Sequence, residues 1–137
     1  MFGPHEHKER LVAHIITELQ AGREATVKNG AVARDFLHTA DVAAMMWEVF
    51  RHGHTGVFNI GTGTPTNLGD LGRIIAELVG RPEQLKVIVP TEPANTHVFA
   101  NMDQINSILA WQPAFDLKSG LENTIEWWEK HQLNEGS

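Results

Sequence analysis

A chain of 137 residues is the length of one domain, enough for a real core but too short to hold a cofactor domain and a substrate domain together. Hydrophobic residues make up 42% and charged ones 20%, ordinary for a globular protein, and a formal charge of −6 with 11 scattered Lys and Arg argues against nucleic acid as a partner. No cysteine is present, so thiolate chemistry, disulfides and Cys-ligated zinc are excluded, while short apolar runs and an opening MFGPHEHKER without a signal core predict a cytoplasmic protein that avoids membranes.

In chain order, Leu11, Val12, Ile15, Ile16 and Leu19 share one face at helical spacing, with Gly22 as the stop. Ala25 to Val27 reads as a short strand and Asn29-Gly30 as a turn. Asp35 to His38 reads as extended. Thr39 then caps a second helix that carries Val42, Met45, Met46, Val49 and Phe50 inward and ends at Gly53. The apolar run Val57-Phe58-Asn59-Ile60 between Gly56 and Gly61 has the pattern of a buried strand.

A third helix follows Pro65. Asn67 and Asp70 resemble a capping box, and Leu68, Leu71, Ile74, Ile75 and Leu78 form the apolar stripe that stops at Gly80. Lys86 to Val89 reads as a strand, Thr91 to Thr96 as a polar loop, and His97 to Ala100 as a short strand leading to a helix with Ile105, Ile108 and Leu109. Trp111-Gln112-Pro113 breaks that helix. A last one, about Leu117 to His131, turns Leu117, Leu121, Ile125 and Trp128 to one side. Alternating helices and strands predict a single α/β or α+β domain over residues 1–137, with about five helices and short strands and no internal repeat.

Several short motifs then occur in a telling order: Phe2-Gly3-Pro4; Arg34-Asp35-Phe36-Leu37-His38 with Asp41-Val42-Ala43; Val57 to Gly63; Leu109-Ala110-Trp111-Gln112-Pro113; and a Gly120-Leu121 helix ending in Trp127-Trp128. Together they resemble the C-terminal, substrate-binding portion of extended short-chain dehydrogenase/reductases, the superfamily of NAD-dependent sugar-nucleotide epimerases and dehydratases. The resemblance runs through essentially the whole chain. It implies a fold without the N-terminal Rossmann half. Full-length members carry a Gly-x-x-Gly-x-x-Gly loop for NAD and a Tyr-x-x-x-Lys pair for acid/base work, whereas this sequence has no tyrosine. We therefore expect a truncated relative, with no catalytic residue and no cofactor of its own, that at most binds a nucleotide sugar and is inactive alone.

The resemblance assigns Arg34 to the diphosphate of a nucleotide sugar, where a guanidinium fork grips two oxygens. On the residues alone, an arginine paired with Asp35 or another local carboxylate is the stronger reading, and the resemblance reverses that order. Phe36 and, on the preceding strand, Val27 are candidates to line the nucleotide pocket, although apolar residues are more often core. Glu92-Pro93-Ala94, after Thr91, stands where many members have Arg-Pro-Gly-Asp. With that Arg and Asp missing, His97 is a partial substitute and Asn101 stands where an Asp is common, each with a plain structural role as the stronger alternative.

Gly61-Thr62-Gly63 invites a dinucleotide-loop reading, but Thr66 occupies the place of the third glycine and the turn is a C-terminal feature of the family. His5, Glu6, His7 and His14 look like metal ligands yet read better as a solvated segment, so no metal is expected. Trp127-Trp128 reads as core packing on one ring, with the other nearer solvent. Without the cofactor half, the Val57 to Ile60 strand loses its usual cover, and a homodimer or a complementing chain is expected to supply it. An oligomerising scaffold that has lost its ligand is the alternative function.

Overall fold

The structure is a computed structural model that describes residues 1–91 and 97–132. Its elements are α1 (Leu11–Gln20), β1 (Ala25–Val27), β2 (Ala33–Asp35), α2 (Thr39–Arg51), β3 (Pro65–Asn67), α3 (Leu68–Val79), a 3₁₀ turn (Pro82–Gln84), β4 (Leu85–Val87), α4 (Asp103–Ile108) and α5 (Leu117–Gln132). β1 and β4 pair in parallel, and β2 and β3 pair antiparallel. The expected α/β class with five helices and short strands is what is found.

The main core is the meeting of the apolar stripes read from the sequence. Val12, Ile15, Ile16 and Leu19 of α1 pack with Leu71, Ile75 and Ala76 of α3 and with Leu121, Ile125 and Trp128 of α5. Phe2 and Val27 complete it. Period-3.6 spacing puts these residues on one face of each helix, and burying each large side chain contributes about 1.5–3 kcal/mol. Close approach of α3 to β1 depends on Gly72, where a Cβ would stand 2.9 Å from Val27 Cγ2. α3 ends as expected at Gly80, whose φ of 76° is the left-handed conformation of a helix C-terminus.

A second, smaller cluster joins Met45 of α2 to Ile105 of α4 and to Leu109, with Phe58, Ile60 and Trp111 against it. Here four expectations need correction. Within the α2 stripe only Met45 is buried, while Met46 and Phe50 face outward, because the described chain places nothing over that side. Val57 to Ile60 is neither buried nor in a sheet, and its backbone has no partner among the described residues. The strand expected at Lys86 to Val89 starts one residue earlier and ends at Val87, and Ile88 and Val89 are exposed beyond it. Finally, α2 is capped by His38 and not by Thr39: the His38 Nδ1 accepts from the Ala40 N–H at 3.3 Å.

The Asn67–Asp70 pair also differs from a capping box. Asn67 is the N-cap, but its amide donates to the Asp70 carboxylate at 3.4 Å and no side chain caps the backbone. His97 to Ala100 makes a single parallel bridge, Val98 to Arg34, in place of a strand. No helix among the described residues is long and apolar enough to cross a membrane.

Candidate functional site

The segment from Ala33 to Thr39 organises this side of the molecule. Along one edge, the Asp35 N–H donates to the Val98 carbonyl at 3.2 Å and the Val98 N–H donates to the Ala33 carbonyl at 3.3 Å. Further on, the Phe2 N–H donates to the Leu37 carbonyl at 3.1 Å and the Thr39 N–H to the Phe2 carbonyl at 2.9 Å. Arg34 and Asp35 both border one cleft, but their side chains make different hydrogen bonds.

Arg34 lines a cleft of about 580 Å³ together with Leu37, Val42, Met46, Phe58, Ile60 and Phe99. Its Nη1 donates to the Ala33 carbonyl at 2.8 Å, which anchors the base of the guanidinium. A half-buried arginine at the wall of a mostly apolar cleft suits an anionic group attached to a bulky, partly apolar one.

Asp35 is a scaffold carboxylate. It accepts from the Thr62 N–H at 2.9 Å, the Thr62 hydroxyl at 2.6 Å, the Gly63 N–H at 3.0 Å and the Ala100 N–H at 3.1 Å. Burial pushes its pKa up, but the hydrogen bonds from Thr62, Ala100 and Gly63 outweigh burial and hold the carboxyl below the usual aspartate range. Gly61 is required at the turn because any Cβ there would collide with the Asp35 carboxylate and with Ala100. The Thr62 and Gly63 amides, which a phosphate at this turn would call on, thus already donate to the protein's own carboxylate.

Asp41 plays the matching part at the other end of the motif. Buried at the start of α2, it accepts from the Ala114 N–H at 2.8 Å and the Phe115 N–H at 3.1 Å, and so ties the loop after α4 to α2. His38 packs between Phe2 and Phe115, with ring centroids 5.6 and 4.3 Å away. Burial holds its imidazole below the ordinary histidine pKa, against the pull of Asp41. Neither aspartate was named as a site residue from the sequence: Asp35 entered only as a possible ion-pair partner of Arg34 and Asp41 only as part of a motif, because the amides they accept from lie 27 or more residues away.

The remaining candidates are dispersed. Val27 is fully buried in the main core, and Phe36 packs against that core with its ring 6.5 Å from Phe2. Neither lines the Arg34 cleft. His97 is exposed at a neighbouring hollow with Thr66, Asn67, Asp70 and Phe99, and Phe99 borders both cavities. Asn101 is exposed, and its Oδ1 accepts from the Asp103 N–H at 2.8 Å at the start of α4, which is the structural role of an Asn before a helix. Glu92-Pro93-Ala94 lies outside the described residues.

His5, Glu6, His7 and His14 do not converge. His5 sits 4.6 Å from the Trp127 ring, Glu6 accepts from Arg10 Nε at 2.9 Å, and His7 Nδ1 accepts from the Glu9 N–H at 3.4 Å. Among the described residues no three acidic or histidine side chains are placed to hold a metal ion. Trp128 is core, whereas the half-buried Trp127 stacks on His131 with centroids 4.0 Å apart.

Comparison with known proteins agrees with this architecture. Residues 1–61 match the model of the NAD dependent epimerase/dehydratase family. dTDP-D-glucose 4,6-dehydratase of Mus musculus is 26% identical over 98% of this chain and 40% of its own length. UDP-glucose 4-epimerase of Rhizobium leguminosarum bv. trifolii is 27% identical over 80% of this chain and 35% of its own. The solved structure of dTDP-glucose 4,6-dehydratase from Bacillus anthracis, in complex with NAD, superposes with a TM-score of 0.84 at 22% identity. It covers 96% of this chain and 43% of its own. UDP-glucose 4-epimerase from Thermotoga maritima, with UDP-glucose, gives 0.82 at 24% identity over 96% and 44%. The chain therefore spans less than half the length of these relatives. By its family match, its relatives and its fold, the chain is similar to the C-terminal portion of an extended short-chain dehydrogenase/reductase of the NAD-dependent epimerase/dehydratase family.

Proposed function

We propose that this chain is the substrate-side part of a sugar-nucleotide epimerase or dehydratase, and that it binds a nucleotide sugar with Arg34 on the diphosphate. The observation that carries the proposal is Arg34 on the wall of a roomy, largely apolar cleft, in a chain related over 98% of its length to a dTDP-glucose dehydratase. The apolar wall would take the sugar or base while the guanidinium meets the charge. In this reading, His97, in the neighbouring hollow beside Phe99, and Asn101 remain candidates for outlying contacts, while Phe36 and Val27 serve the core and do not reach the cleft. The acid/base tyrosine, and the site for the NAD that such enzymes use, are supplied from outside these 137 residues, so this chain alone does not turn substrate over.

The test is calorimetric titration with UDP-, dTDP-, GDP- and CDP-sugars. Loss of a bidentate charged contact costs about 1.5–3 kcal/mol, so Arg34→Ala is expected to weaken binding roughly tenfold to a hundredfold with the fold intact. Saturable binding untouched by Arg34→Ala would remove the arginine from its role. Silence across the panel from a folded protein would favour the second reading, an oligomerising scaffold that has lost its ligand, for which the outward apolar face of α2 speaks.

A further inference from the structure

The motif that begins with Arg34 ends in a buried, titratable histidine that has no part in holding an anion. His38 is 4% exposed and stands where the N-terminal segment, α2, the loop before α5 and α5 itself meet. Its ring packs on Phe2 and Phe115, and a Cβ on either Gly3 or Gly120 would stand 3.4 Å from it. Its Nδ1 accepts the Ala40 N–H at 3.3 Å and so caps α2. Only a lone pair can meet that N–H, so the neutral ring carries its proton on Nε2, which has no hydrogen-bond partner among the described residues.

The segments that His38 joins are also those that wall the cleft. Met1, next to Phe2, lines it, as do Leu37, next to His38, and Val42 and Met46 of α2. The backbone bonds of Phe2 to Leu37 and Thr39 tie the N-terminal segment on either side of the histidine, and the ring closes the joint between them.

A second proton undoes this arrangement. On Nδ1 it turns the cap acceptor into a donor aimed at the Ala40 N–H, and it puts a charge into a pocket walled by Phe2, Phe115, Gly3 and Gly120. The charged group that acts on the ring is Asp41 of α2, whose carboxylate already accepts from Ala114 and Phe115. Asn123 of α5 also favours the charged form, while Phe2 and Gly3 of the N-terminal segment, Phe115 of the loop and Gly120 of α5 bring no charge. Burial outweighs both and resists the proton. Charging is therefore easier once the ring leaves its pocket, and histidine is the side chain that changes charge between about pH 5 and pH 8.

We infer that His38 is a proton-operated latch on the Arg34 cleft: neutral, it caps α2 and holds the Phe2 segment so that the wall is formed; protonated, it releases both and the wall loosens. Its effect on an anionic ligand rests on the nucleotide-sugar reading above, whereas the latch itself is tested with no ligand present. The sign separates it from His97 in the neighbouring hollow, where a gained charge would tighten the grip on a diphosphate.

The full chain, isotope-labelled at its methionine methyls, is followed by NMR from about pH 7.5 to about pH 5.5 together with its histidine ring signals. The methyls of Met1 and Met46, both on the cleft wall, are expected to move with the midpoint of the His38 ring. The movement should vanish in His38→Asn, which keeps a cap acceptor and whose folding is checked by circular dichroism, and persist in His97→Asn. Should His38→Asn not fold, the wild-type titration still decides, because the methyls must share the midpoint of His38 and not that of another histidine. UDP-glucose and dTDP-glucose, titrated calorimetrically, are expected to bind at least about fivefold more weakly at the acid end, the lower end of ordinary coupling between two sites, and the difference should be lost in His38→Asn. Methyls indifferent to the His38 proton overturn the latch, and so does a movement that survives in folded His38→Asn. Binding that is unchanged or tighter at the acid end overturns its hold on the ligand, whereas no binding at either pH overturns the nucleotide-sugar reading alone.

Discussion

The two halves of this molecule use the same kind of helix for different ends. α1, α3 and α5 turn their apolar stripes toward one another and seal Phe2, Val27 and Trp128 inside. α2 also carries an apolar stripe, yet only Met45 of it is buried, with Ile105 and Leu109, Val49 packs against that cluster, and Met46, Trp47 and Phe50 are left facing outward. Periodicity states that a helix has an apolar side. Whether that side becomes core depends on another element arriving to cover it.

This contrast is best broken by truncation on each side. Leu71→Ala in the main core should cost about 3–5 kcal/mol by chemical denaturation, and Met45→Ala in the smaller cluster about 2 kcal/mol, because a site with open neighbours collapses more easily around a lost side chain. Equal losses would mean that the two clusters are one cooperative core.

Asp35→Ala should come next, at about 2–4 kcal/mol, since it strands the Thr62, Gly63 and Ala100 amides together. The loss should shrink on acidification. A carboxyl whose folded pKa is depressed contributes its stability above the unfolded value and loses it as pH falls through the folded one. A Tm difference between wild type and Asp35→Ala that does not narrow toward low pH would remove Asp35 from this role.

His38 sharpens the comparison at the junction of the halves, with a smaller effect. Its folded pKa lies below the ordinary value, so the unfolded chain takes up the proton first, and stability falls as pH drops below about 6.5. His38→Asn keeps a cap acceptor and should flatten that part of the pH–Tm curve. The smallest effect belongs to the outward face: Phe50→Ser should change the monomer's stability by no more than about 0.5 kcal/mol, measured at high dilution. A large loss there would mean that α2 is covered within the monomer.

Much of the fold was legible from spacing alone. The stripes of α1, α3 and α5, the strand Ala25 to Val27, the positive φ of Asn29 in its turn and the Gly80 stop all stand where local rules put them, because each depends on neighbours a few residues away. The candidate site was legible only in part. Arg34 was picked out by its motif and does line a cleft, while Asp35 beside it drew attention merely as a possible ion-pair partner.

The sequence by itself determined the five helices, the class of fold and the absence of tyrosine and cysteine chemistry, all of which follow from composition or short-range pattern. Only the tertiary structure decided that Asp35 fills the Gly61 to Gly63 turn, that Val27 and Phe36 serve the core, and that Val57 to Ile60 has no strand beside it among the described residues. Each of those outcomes depends on which distant segment supplies the donors, the cover or the neighbouring strand. A carboxylate 27 residues from the amide it accepts from, as Asp35 is from Thr62, leaves no trace in local spacing.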